Sequence, residues 1–96
     1  MSTITKLINT NSHDYNLRKT VEELLELAEV LIKKVNKKGG PKEPLDEKVI
    51  EEIGDVSIRI EVLKEIFGQK AVQDRITYKL GQFEEYIKEN KYIGSI

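Results

Sequence analysis

The chain has no cysteine and no tryptophan, a single histidine, two prolines and no long apolar run. Lacking cysteine, it can form no disulfide, thiolate metal site or thiol nucleophile. One histidine cannot supply the two Glu-x-x-His motifs of a ferritin-type di-iron bundle, and His13, beside Asn9-Thr10-Asn11-Ser12, fits a surface or capping residue. No apolar stretch approaches the roughly 20 residues that cross a bilayer, so no membrane partner is expected. Met1 to Asn16 carries no signal-like apolar run, and the expected location is the cytoplasm. Charge of one sign is also missing: sixteen basic and seventeen acidic residues leave a net −1, which makes nucleic acid an unexpected partner. Gly39-Gly40-Pro41 has no Gly-Lys-Ser/Thr after it, so it is a helix stop and not a phosphate loop. No serine or histidine is placed as a covalent nucleophile with its base.

What remains is a helical pattern. Ninety-six residues make a single domain, 1–96, and 39% apolar against 34% charged content leaves little for a core of its own. Residues 1–13 are weakly patterned, with one helical turn at Ile4, Leu7 and Ile8, and 90–96 read as a tail. A first long helix begins between Asp14 and Asn16. Its apolar stripe is Leu17, Val21, Leu24, Ala28, Leu31 and Val35, and Lys33, Lys34, Lys37 and Lys38 crowd its end. A second starts near Asp46 as N-cap and runs to Phe67, with the stripe Val49, Ile53, Val56, Ile60, Leu63 and Phe67. Ile58, Val62 and Ile66 give it a second apolar face, so a further subunit is the natural cover. A third spans Lys70 to Lys88 on Val72, Ile76, Leu80, Phe83 and Ile87, with Lys79 beside Leu80. No repeat or linker stands out. The expected fold is all-α: an antiparallel helical bundle built on a long hairpin plus a third helix, completed by oligomerisation.

Two acidic clusters sit level across the Gly-Gly-Pro turn. Glu26 and Glu52 are each thirteen residues from Gly39, and Glu23 and Asp55 are each sixteen. On each helix the first acid of the pair projects roughly 100° and the second roughly 160° from the apolar stripe, with the same sense of rotation. Glu23 is therefore not expected on a fully solvated face. Four carboxylates at one height repel unless cations or protons offset them. Mg²⁺ is the obvious cation, with hard oxygen ligands and a shell often shared with phosphates. Taken alone, Glu-x-x-Glu is weak: Glu47, Glu61, Glu65, Glu84, Glu85 and Glu89 are expected on solvated faces.

Glu22-Glu23-Leu24-Leu25-Glu26-Leu27, then Glu51-Glu52-Ile53-Gly54-Asp55-Val56, resembles the ExxE…ExxD signature of the MazG-like all-α nucleotide pyrophosphohydrolases, over about Leu17 to Tyr86. The resemblance implies an enzyme that splits a (deoxy)nucleoside triphosphate into monophosphate and pyrophosphate. It implies Mg²⁺, with Mn²⁺ as a substitute, held by Glu23, Glu26, Glu52 and Asp55, in a homodimer or homotetramer. No catalytic residue beyond these ligands is implied. Relatives carry a Lys and an Arg three positions later near the phosphates; Lys79 matches the first, and Gln82 departs from the second. Arg59 would either reach a phosphate in its place or pair with Asp55 one turn away. Lys79 has the plain alternative of a solvated lysine. A different class of function is a helical interaction module or nucleotide-sensing regulatory subunit that does not catalyse.

Overall fold

The computed structural model describes residues 1–36 and 43–89, and the Gly39-Gly40-Pro41 turn, Lys37, Lys38 and the 90–96 tail lie outside them. Four α-helices make up the described chain: α1 (Thr3–Thr10), α2 (His13–Asn36), α3 (Glu43–Phe67) and α4 (Gln69–Lys88), with no strand among the described residues. They fall into two compact units, one from Met1 to Ile66 and one from Phe67 onward.

Serine hydroxyls start the first two helices. Ser2 Oγ accepts from the Thr5 amide at 3.1 Å, and α1 lengthens the single expected turn to eight residues. Ser12 Oγ accepts from the Tyr15 amide at 3.0 Å. The cap of α2 is thus Ser12, upstream of the Asp14–Asn16 window expected from sequence. Asp14 instead lies in the first turn, where its charge suits the helix dipole, and pairs with Arg18. Helix α3 likewise starts before the expected Asp46 cap. A proline is tolerated in a first turn, so Pro44 does not stop it, and Asp46 pairs with Lys34 of α2. At the other end Gly68, with φ 116°, takes a backbone conformation that side chains resist and breaks α3 from α4.

Within the first unit α2 and α3 run antiparallel. Asn16 meets Arg59, Glu23 meets Glu52 and Asp55, and Lys34 meets Asp46, so partners fall along α3 as they rise along α2. The buried and half-buried residues of α2 are Asn16, Lys19, Thr20, Glu23, Leu27 and Val30. Those of α3 include Val49, Glu52, Val56, Arg59, Val62 and Leu63.

This seam corrects the sequence expectation. The stripe Leu17, Val21, Leu24, Leu31 and Val35 is exposed, with Val21 at 54% and Val35 at 60%. On α3 the expected stripe divides: Val56 is buried while Ile53, Ile60 and Phe67 are exposed, and of the second face Val62 is buried while Ile58 is exposed. Helix α4 has no buried residue, and Ile76, Leu80 and Ile87 of its expected stripe are exposed. The physical reason is that each long helix has two faces and one partner helix covers only one. The covered faces carry Thr20, Val30, Val49, Val56 and Val62 with half-buried Leu27 and Leu63, while most of the other leucines and isoleucines of α2 and α3 are exposed. The solvated glutamates were expected correctly, since Glu47, Glu61, Glu65, Glu84, Glu85 and Glu89 are all exposed.

Only Val30, Val56 and Val62 are buried apolar side chains among the described residues. The other buried side chains of the seam, Asn16, Thr20 and Glu52, are polar, and the first two are hydrogen-bonded. Asn16 is fully buried: its Nδ2 donates to the Ser12 carbonyl at 3.2 Å, and its Oδ1 accepts from Arg59 Nη1 at 3.3 Å. Thr20 Oγ1, also buried, donates to the Asn16 carbonyl at 2.8 Å. A buried polar contact of this kind pins register, because any slip leaves both groups desolvated and unpaired. Replacing Asn16 by Ala is expected to destabilise the protein by about 1–3 kcal/mol through the stranded guanidinium, measured by chemical denaturation.

Candidate metal centre

Glu52 and Asp55 stand three residues apart on α3, hence on neighbouring rows of one face, and Glu23 comes level from α2. One carboxylate oxygen from each of the three lies within 4.8 Å of the others. Their exposure is graded. Glu52 is buried, with 3% of its side chain accessible, Glu23 keeps 12%, and Asp55 is exposed. Glu23 Oε2 and Glu52 Oε2 are both buried without a hydrogen-bond partner. Buried carboxylate oxygens without partners are costly, and two glutamates facing one another across a seam add like-charge repulsion.

Their other oxygens are occupied. Lys19 Nζ lies 3.5 Å from Glu23 Oε1 and 3.3 Å from Glu22 Oε2. Lys48 Nζ lies 3.0 Å from Glu52 Oε1 and 3.6 Å from Glu51 Oε2. Both ammonium groups have raised pKa values, Lys19 chiefly through its hydrogen bond to Glu22 and Lys48 chiefly through its hydrogen bond to Glu52. Sequence reasoning missed both lysines. The signal was present, since Lys19-x-x-Glu22-Glu23-Leu24-x-Glu26 and Lys48-x-x-Glu51-Glu52-Ile53-x-Asp55 repeat one pattern on two helices.

Glu26, the fourth expected ligand, is exposed and stands outside the 4.8 Å group, but it borders it. The Glu23 carboxylate, then partial burial, then the Glu52 carboxylate raise its pKa. Glu26 and Glu52 also line a cleft of about 250 Å³ with Val30 and Leu45 as apolar wall and Lys33 and Lys48 as cations. Arg59 donates to Asn16, and among the described residues Asp55 has no ion pair with it. Glu22 is exposed and engaged with Lys19. Lys79 belongs to the second unit, where it is half-buried with Nζ 5.6 Å from the centre of the Phe83 ring. Gln82, where the resemblance expects an arginine, donates to Tyr78 Oη at 2.9 Å.

Comparison with protein-family models, with curated proteins and with solved structures finds no match to this chain. The residues themselves fit a divalent cation of the hard class. They offer oxygen donors only, two of them buried and unpaired. A spread of 4.8 Å is within small side-chain adjustment of the roughly 4 Å between opposite ligands of octahedral Mg²⁺.

Glu26 supplies a test of the repulsion. Because the fold raises its pKa, Glu26 binds its proton more tightly in the native state than in the unfolded one, and native stability falls as pH rises through that window. Glu26→Gln is therefore expected to raise the melting temperature of the metal-free protein at pH 7. The gain should shrink as the pH falls through the native pKa and vanish below the ordinary glutamate range, where Glu26 is neutral in both folded and unfolded chains, as thermal melts across pH 3–8 would show.

Proposed function

We propose that this protein is a Mg²⁺-dependent nucleoside triphosphate pyrophosphohydrolase, cleaving a (deoxy)nucleoside triphosphate to the monophosphate and pyrophosphate. The observation that carries the reading is the pair of buried, unpartnered oxygens on Glu23 of α2 and Glu52 of α3, grouped with the Asp55 carboxylate of α3. A fold with so few buried apolar side chains has little stability to set against such a cluster, unless the cluster serves a ligand. The ExxE…ExxD resemblance then supplies the substrate class.

Glu23, Glu52 and Asp55 would hold the ion, with Glu26 closing the group from the cleft side. Bound Mg²⁺ supplies charge neutralisation at phosphate oxygens and a positioned water. The protein's own part is to fix the carboxylates in place: α3 sets Glu52 and Asp55 one turn apart, and the Asn16–Arg59 hydrogen bond holds α2 in step. Arg59 is assigned to the phosphates; for Lys79, which lies in the second unit, a phosphate role is what the resemblance implies and nothing more. The exposed leucines and isoleucines of α2 and α3 support assembly into a homodimer or homotetramer, which would complete the bundle. They also fit the second reading, a non-catalytic interaction module, but a module has no use for buried repelling acids.

Incubation of the purified protein with a panel of ribo- and deoxyribonucleoside triphosphates and Mg²⁺ is expected to yield monophosphate and pyrophosphate. Chelation should abolish it. Glu52→Gln should lower kcat/KM by more than the roughly 10–100-fold that outer-shell partners of a metal site are worth. A panel without any turnover, in Mg²⁺ and in Mn²⁺, contradicts the assignment. Light scattering is expected to give a mass of two or four chains, and Leu24→Glu, on the exposed apolar face, to shift it toward one.

A further inference from the structure

We propose that Lys19 and Lys48 are built-in counter-cations that hold the acid pair together before metal arrives and limit how tightly the free ion can bind. The inference rests on the metal-centre reading above and adds the residues that tune it. Each inner glutamate divides its carboxylate in the same way. Oε1 of Glu23 and of Glu52 faces an ammonium group one turn back on its own helix, while Oε2 is buried and unpartnered. Each lysine in turn bridges to an exposed outer acid, Glu22 or Glu51, with side-chain exposures of 64% and 67%. The arrangement occurs twice, once per helix, from the same five-residue string of lysine, two spacers and two glutamates. Isolated i,i+4 pairs of this kind on a solvated face are commonplace. Here the acid ends are buried and face one another, and among the described residues these two ammonium groups are the cations in salt-bridge contact with those carboxylates.

Two consequences follow from charge alone. Without a divalent ion, removing either lysine leaves a buried carboxylate with no counter-charge, which strongly destabilises. With a divalent ion, the ammonium groups repel it, so their removal strengthens binding. The outer acids give each lysine a second partner three residues away when the inner carboxylate is taken. A site tuned in this manner holds free metal weakly and fills when metal arrives already bound to a triphosphate.

The test uses the full chain and Mn²⁺ alone, titrated by calorimetry and by loss of the free-ion electron paramagnetic resonance signal. Lys48→Met is expected to bind Mn²⁺ about tenfold more tightly than wild type, a small share of the repulsion between such charges near a protein surface. Its metal-free melting temperature should drop, and saturating Mn²⁺ should restore it. Lys48→Arg keeps the charge and is expected to match wild type in affinity. Lys19→Met should act in the same direction with a smaller change, since its contact with Glu23 is longer. Glu51→Gln, an exposed change that leaves the fold intact, removes the lysine's second partner and is expected to weaken Mn²⁺ binding. Equal or weaker binding in the lysine-to-methionine variants overturns the counter-cation role while leaving the metal centre standing. Absence of Mn²⁺ binding in wild type and every variant overturns the metal centre itself, and this inference with it.

Discussion

The structure depends on one unfavourable contact: two glutamates, Glu23 and Glu52, brought face to face and away from water in the seam between α2 and α3. Each has an oxygen with no partner, and a third carboxylate, Asp55, joins them from the rim. Repulsion and desolvation both oppose this, and only three buried valines stand on the apolar side among the described residues. The surrounding features follow as responses to it. Lysines stand one turn behind each glutamate, and a buried asparagine ties the two helices in register.

This explains why the apolar residues are where they are. A conventional helical pair would bury Leu17, Val21, Leu24 and Leu31 against Ile53 and Ile60. Here they face outward, because the acid-bearing faces take the place between the helices. The large apolar faces are then left exposed. In the proposed assembly, site and interface would be one design: the acids take the inner seam and the leucines the outer contact.

Several of these relations were legible in the sequence. Three of the four helices could be read from 3.6-residue periodicity, with the Gly68 break placed correctly, and the equal distances of Glu23 and Asp55 from Gly39 put them on opposing turns. Which face of each helix meets its partner was not legible. Periodicity marks Leu17-Val21-Leu24 as a stripe that must be covered, yet it is silent on whether the cover is the neighbouring helix or something else. The role of Asn16 was also hidden, since an asparagine near a helix start reads as a cap until its side chain is seen between Ser12 and Arg59. Lys19 and Lys48 could have been found, because the Lys-x-x-Glu-Glu string occurs twice.

The most direct test of the central claim is a crystal structure of the protein soaked with Mn²⁺, with anomalous scattering recorded at the manganese edge. The account predicts an anomalous peak bounded by the carboxylates of Glu23, Glu52 and Asp55, with the two buried Oε2 atoms among its ligands. A well-ordered crystal with no peak in that seam, at Mn²⁺ concentrations that saturate ordinary Mg²⁺ enzymes, would contradict it.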